Sequence, residues 1–510
     1  MQAALQQAIE SRTRALIEHN VVQRIWANDY TVWKPDPTEI ADRLGWLDVA
    51  QELRSGAPRL EEFAASVRAA GLDQVLLLGM GGSSLGPEVI GETYGLGAGV
   101  AAFEVLDSTH PDQIRATEAR LDLSRTLVVV ASKSGSTIET MSQFAYFWER
   151  IGQGNQFVAI TDPGSSLEAL GRSHGFREVF LNWPDIGGRF SVLSYFGMVP
   201  AALIGAPVER TLDDALAMAA RCGPGVTLAE NPGATLGVLL GEAALAGRDK
   251  CTLRLPPDMA SFGWWVEQLV AESTGKEGRG ILPVEGETPL PPAEYGNDRV
   301  FVTYGDDVEA NQLEAAGHPV ARLHPAGLGG EFFRWEFATA VAGAILDVQP
   351  FDQPNVQEAK DAAGRILAGE LPQVAPQAFA QVMEHVNAHD YIAINAFIPR
   401  NADTIARLQA VRAVLGERYG VATTVGFGPR FLHSTGQLHK GGPNSGVFIE
   451  VVEPAAHDLD IPGRPYSFGQ LIAAQALGDL ASLSACGRRV TRVEGLAELE
   501  RLIAEPPVLD

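Results

Sequence analysis

The feature that most constrains this chain is a pattern repeated through its first half: a short apolar run, a break rich in glycine and serine, then a stretch of helical spacing. The runs lie at residues 75–79, 103–107, 127–131, 157–161 and 179–181, about 25 residues apart, which is the length of one βαβ unit. Each is short enough to be a strand buried on both faces. Strands alternating with helices through right-handed crossovers build a parallel, doubly wound sheet. In such a sheet ligands bind beyond the carboxyl ends of the strands, so chemistry is expected in the breaks.

Two of the breaks carry it. The first run leads into GMGGSSLGP at 79–87. Glycines there, Gly82 among them, let the backbone turn tightly and approach a ligand, Ser83 and Ser84 add hydroxyls, and Pro87 suits the first turn of a helix. The order is neither a dinucleotide GxGxxG nor a P-loop. The third run leads into SKSGST at 132–137. Ser132, Ser134, Ser136 and Thr137 supply hydroxyls and Lys133 a cation. A Ser/Thr helix cap would use one or two of these. Five such groups in six positions predict a phosphate site at a helix N-terminus.

Further along, Arg189 follows two glycines in DIGGRFS (185–191). A tight turn there would project its guanidinium toward an anion or a developing oxyanion, with a surface arginine as the alternative. His110 ends the second strand on the ligand edge, as a substrate contact or a cap. A helix is expected at 38–53 and another at 264–272, the latter closed by Gly275. Glu272 falls in its last turn, where the macrodipole disfavours a carboxylate, a placement compatible with function or with simple exposure. Residues 423–446 read as one polar, glycine-rich loop holding His433, His439 and Lys440. Loops of about 20 residues in a compact chain are more often functional than idle. Two histidines without a carboxylate or cysteine cluster do not make a metal site.

At 510 residues the chain is too long for one core. The expected division is a helical segment at 1–54, a first α/β domain at 55–208, a second at 209–460 and a C-terminal α/β extension at 461–510. The fold class is thus α/β, with two doubly wound parallel-sheet domains and helical N- and C-terminal extensions. A formal charge of −24 excludes nucleic acid and anionic membrane as partners, since both require a basic footprint. An anionic ligand must be held by local groups. Cys222, Cys251 and Cys486 are odd in number and far apart, which argues for a reducing, cytoplasmic setting. Residues 1–40 lack the apolar core of a signal peptide, and no apolar stretch reaches the roughly 18 residues of a membrane span.

With these motifs together, the chain resembles phosphoglucose isomerase (glucose-6-phosphate isomerase). The matching segments are GMGGSSLGP, SKSGSTIET, DIGGRFSVLS, AESTGK (271–276), FDQPNV (351–356) and HSTGQLHK (433–440). WKPDPTEIADRLGWL near the N-terminus, HKGGPNSG and PYSFGQLIAAQALGDL look most like the isomerase half of transaldolase/phosphoglucose isomerase fusions. The resemblance implies a sugar isomerase-like fold and a cofactor-free aldose–ketose isomerase acting on glucose 6-phosphate and fructose 6-phosphate. Gly82, Ser83, Ser132, Lys133, Ser134 and Thr137 would bind the substrate phosphate. Glu272 would carry the proton between C1 and C2, Arg189 would stabilise the enediolate, and Lys440 would take part in ring opening. A homodimer and a covalent or functional link to a transaldolase are the partners it raises. The pattern departs from the family in places. The family's ring-opening histidine follows the base, yet 275–317 contains none, leaving His318, His324, His433 and His439 as stand-ins, with His110 at a family-like strand end. Asn355 and Gln357 stand where the family has glycine and glutamate. The alternatives are a dual phosphoglucose/phosphomannose isomerase and a non-catalytic sugar-phosphate regulator.

Overall fold

The computed structural model describes residues 2–305 and 307–504, apart from the side chains of Gln2, Gln357 and Ala359; the Gln357 departure therefore lies outside the described residues. All three sheets are parallel. The first has the order β2-β1-β3-β4-β5, from β1 (Gln74–Leu78), β2 (Ala102–Leu106), β3 (Thr126–Ala131), β4 (Phe157–Thr161) and β5 (Glu178–Leu181). The five apolar runs thus become five adjacent strands, and β1, β3 and β4 are buried almost throughout, as two-sided cover by helices requires.

The strands expected in 209–460 fall into two sheets rather than one. The second sheet, β7-β6-β8-β9, consists of β6 (Lys250–Arg254), β7 (Leu282–Val284), β8 (Arg299–Tyr304) and β9 (Val320–Leu323). The third, β11-β10-β12-β13, consists of β10 (Tyr391–Phe397), β11 (Ala422–Phe427), β12 (Gly446–Val452) and β13 (Arg489–Glu494). The C-terminal segment supplies the edge strand of this sheet, so its extension is part of a core. β7 went unread because it is three residues long and contains Pro283.

Two other expectations change. Instead of a helix over 38–53 there is a single turn at Gly45–Leu47 and a short helix at Val49–Arg54. Leu44 bridges to Ile186 and the Gly45 N–H donates to the Asp185 carbonyl at 3.0 Å, which takes the backbone out of helical pairing and docks it on the Arg189 turn. The 423–446 loop contains β11 and a short helix, Gly436–Gly441. β-Branched Thr423, Thr424 and Val425 pair with β10, a strand signal that the following glycines obscure.

In every sheet the first strand in sequence lies inside, with its successor on one side and the later strands on the other. This is the doubly wound order, and the crevice opens where it reverses, between β1 and β3 in the first sheet. The largest core joins one face of that sheet to the Phe262–Thr274 and Leu328–Leu346 helices. The latter is apolar nearly all round and buried along its length, as such a helix must be.

Candidate active site

The turn after β1 is built for close approach. Gly81 has φ +55°, and a Cβ on Gly82 would stand 1.9 Å from the Gly188 carbonyl oxygen. Only glycine lets the turn 79–84 lie backbone to backbone on the turn that carries Arg189. The loop after β3 is braced internally. Ser132 Oγ lies 2.9 Å from Thr137 Oγ1 and accepts from the Gly135 N–H at 3.1 Å, and Ser134 pairs with Ser136. Thr137 stands at the N-terminus of the helix Ile138–Ile151 and uses no side-chain cap there. The first N–H groups of that helix are therefore not met by a hydroxyl of the cap residue.

In front of this helix end lies a cavity of about 430 Å³. Its polar lining comprises Ser134, Ser136, Thr137, Glu139, Lys360, His433 and Gln475. His433 Nε2 lies 3.0 Å from Glu139 Oε1, and Gln475 Nε2 donates to the same oxygen at 2.7 Å while its Oε1 accepts from Thr109. Burial alone would raise the Glu139 pKa, but the charge and hydrogen bond of His433 outweigh it and hold the carboxyl below its ordinary value.

Beside the cavity is a second buried polar group. Glu272 occupies the last turn of the Phe262–Thr274 helix and is 6% exposed. One turn earlier, Gln268 Nε2 donates to Glu272 Oε2 at 3.1 Å and to the His433 carbonyl at 2.8 Å, tying the carboxylate to the cavity wall. Arg189 Nη1 lies 3.7 Å from Glu272 Oε2. The guanidinium is 2% exposed and donates to Ser273 Oγ, Gln353 Oε1 and the carbonyls of Pro350 and Asp352, at 2.6 to 2.8 Å. Burial lowers its pKa, opposed by Glu272 and Asp352, yet a guanidinium stays protonated in any accessible range. A fixed cation beside a buried carboxylate suits proton transfer next to a carbonyl. Gly275 ends the helix at φ −76°, and its lack of a side chain serves packing: a Cβ would meet Leu438 Cα at 2.4 Å.

The structure brings together only part of the expected set. Ser134, Thr137 and His433 line the cavity, with Ser132 buried beneath them. Gly82 and Ser83 lie in the β1 turn beside Arg189, outside the cavity lining. Lys133 turns away, 2.5 Å from Asp162 Oδ2 and donating to the Pro184 carbonyl. Lys440 is not at the cavity: its Nζ is buried 2.5 Å from Asp479 Oδ1, against the Phe468–Ala485 helix. His110 caps the helix Pro111–Ala119, its Nδ1 accepting from the Asp112 N–H and its Nε2 3.3 Å from the Glu453 carbonyl. His439 sits among Tyr391, Phe431 and Phe448, where burial drives its pKa well down.

Sequence reasoning missed Lys360, Glu139, Gln475 and Gln268. Lys360 supplies the cation that Lys133 and Lys440 do not, from the helix Pro354–Leu367 that begins inside the FDQPNV motif. Gln268 could have been found as the i−4 neighbour of Glu272 on one helix face. Among the described residues no group of three or more His, Cys, Asp or Glu is arranged to hold a metal.

Fold and cavity define a doubly wound, parallel-sheet α/β protein with a polar cavity beyond the carboxyl end of β3. Solved structures of this shape include a hypothetical protein from Thermus thermophilus, at TM-score 0.62 and 24% identity over 72% of this chain and 98% of that one. A glucose-6-phosphate isomerase from Chlamydia trachomatis aligns at TM-score 0.57 and 21% identity, covering 72% of this chain and 87% of that one. In sequence, a glucose-6-phosphate isomerase of Citrifermentans bemidjiense is 28% identical over 64% of this chain and 73% of its own length. A probable glucose-6-phosphate isomerase of Methanococcus maripaludis is 27% identical over 65% and 86% respectively. Residues 34–277, which include the loops after β1 and β3, Arg189 and Glu272, match the phosphoglucose isomerase family model.

Proposed function

We propose that the protein interconverts glucose 6-phosphate and fructose 6-phosphate through an enediol(ate), an isomerisation used in glycolysis and gluconeogenesis. The observation that carries this reading is the buried Glu272 carboxylate 3.7 Å from the fixed Arg189 guanidinium, tied through Gln268 to the wall of a cavity with an anion-type loop.

The phosphate is held by Ser134, Thr137, the first N–H groups of the Ile138–Ile151 helix and Lys360. His433, oriented by Glu139 and Gln475, handles the proton that moves between the ring oxygen and the C1 hydroxyl when the sugar opens. Glu272 takes the proton from C2 of the open aldose, and the electron pair moves into a C1–C2 double bond. The negative charge that develops on oxygen is met by Arg189. The same proton returned to C1, with the hydroxyl proton passing from O2 to O1, gives the C2 ketose, so the step is redox-balanced within the substrate. Lys440, buried against Asp479, has no part in this reading.

The three cysteines are unpaired and no described helix is long and apolar enough to cross a membrane; we assign the activity to the cytoplasm. A homodimer and a functional link to a transaldolase, both raised by the family resemblance, complete the proposal. Light scattering of the purified chain, alone and mixed with a transaldolase, tests both.

The deciding assay follows glucose 6-phosphate formed from fructose 6-phosphate by purified protein in the presence of a chelator. Turnover is expected, and Glu272→Gln lowers kcat about 10²- to 10⁴-fold with little change in KM. A Glu272→Gln protein with wild-type kcat overturns the assignment of the base.

A further inference from the structure

Lys276 follows the Gly275 that ends the Glu272 helix, and it is 3% exposed. Its Nζ lies 2.7 Å from Asp352 Oδ1 and donates to the Gln349 carbonyl at 2.5 Å. The segment it grips, 349–353, is the one that holds Arg189 through the carbonyls of Pro350 and Asp352 and the Gln353 side chain. Gln349 Oε1 closes the same turn by accepting from the Asp352 N–H at 2.6 Å. The turn leads straight into the Pro354–Leu367 helix, which places Lys360 at the cavity. Burying an ammonium is costly unless it is paired and hydrogen-bonded, and here both of its visible partners belong to the turn around Arg189.

We propose that Lys276 is a positioning residue for the isomerisation: by holding Asp352 and the Gln349 carbonyl it fixes the 349–353 turn, and through that turn the plane of the Arg189 guanidinium beside Glu272. This rests on the roles given above to Arg189 and Glu272. The charged groups around the ammonium are Glu272 on the helix that precedes it, Arg189 on the Gly188–Phe190 turn and Asp352 on 349–353. In the adjoining loop, Glu277 pairs with Lys34 and Arg279 with Asp347, so these side chains are engaged elsewhere. Burial first, and the Arg189 charge second, lower the lysine to about 7, while Asp352 and Glu272 oppose the shift. The charged grip on Asp352 is therefore complete below about pH 7 and is lost as pH rises through it.

The test measures kcat and KM for fructose 6-phosphate from pH 6 to 9 on the full chain and on Lys276→Met and Asp352→Asn, with folding checked by circular dichroism. Displacing a catalytic group by about 1 Å can cost on the order of 100-fold. Lys276→Met is expected to lower kcat roughly 10- to 100-fold, with KM within about threefold, and to lose the alkaline fall in kcat near pH 7. Asp352→Asn removes a group that raises the lysine's pKa, so its alkaline limb should move to lower pH. If Lys276→Met does not fold, the Asp352→Asn profile decides. Variants that keep kcat within twofold, or whose pH profiles superimpose on the unsubstituted protein after scaling, overturn the proposal. No turnover in the unsubstituted protein overturns the isomerase reading and this proposal with it. Active wild type with indifferent variants overturns this proposal alone.

Discussion

Replacing Arg189 by lysine keeps the charge and removes the geometry, so it separates the two contributions of this side chain. Arg189 serves four acceptors through three nitrogens: Nε to Ser273, Nη1 to Gln353, and Nη2 to Pro350 and Asp352. A lysine carries one nitrogen, a compact point charge on a flexible and shorter stem. It cannot reach both ends of a planar fork, and at least two buried acceptors lose their donor. Each such loss costs about 1–3 kcal/mol, so a destabilisation of about 2–6 kcal/mol is expected. For turnover, removing one preorganised partner of a developing oxyanion costs about 2.7–4 kcal/mol, or 10²–10³ in kcat. KM should change only a few-fold, because the phosphate is bound on other elements. The assay is coupled fructose 6-phosphate turnover at 25 °C alongside a thermal melt. If the melt falls as expected while kcat stays within threefold, Arg189 is a structural pillar and the electrostatic role is refuted.

Three further outcomes follow from the same geometry. Ser134→Ala with Thr137→Ala should raise KM at least tenfold, since hydrogen bonds to a charged group are worth about 1.5–3 kcal/mol each; an unchanged KM removes the loop from phosphate binding. His433→Asn and Glu272→Gln, each inactive alone, should not restore activity when mixed, because Gln268 joins the Glu272 carboxylate and the His433 backbone within one chain. Recovery of turnover on mixing would mean that the site is shared between subunits. Glu336 is fully buried, neither of its oxygens has a partner among the described residues, and burial holds its pKa well above the ordinary value. A raised folded-state pKa makes stability greatest below the unfolded value and lowers it as pH rises from there. Glu336→Met should therefore stabilise by about 1–3 kcal/mol near neutrality, with a larger gain at pH 8 than at pH 5. Equal melting of variant and wild type at pH 8 would refute this.

Much of the first sheet was legible because two-sided burial writes itself as unbroken apolar runs, and β1, β3 and β4 are such strands. The third sheet was harder to read, since β11 runs into glycines and its strand signal is confined to three β-branched residues. In the site, Glu272 and Ser134 lay in motifs dense enough to stand out. The cations did not sort themselves in the same way. Lys133, Lys360 and Lys440 all lie in or just beyond motif segments, and nothing local distinguishes them.

What the sequence by itself determined was the parallel α/β class, the glycine- and serine-rich breaks that follow β1 and β3, and the helix end that carries Glu272. These follow from periodicity, turn chemistry and helix-end position, all of which act over a few residues. Only the tertiary structure decided which charges face the cavity. Asp162 claims Lys133 and Asp479 claims Lys440, while Lys360 reaches the cavity from a helix far along the chain. His433 is selected over His110 and His439 by its Glu139 partner, 294 residues away in sequence. The physical reason is that a buried charge must be paired or neutralised, and its partner is supplied by whichever element packs against it, not by its neighbours in the chain.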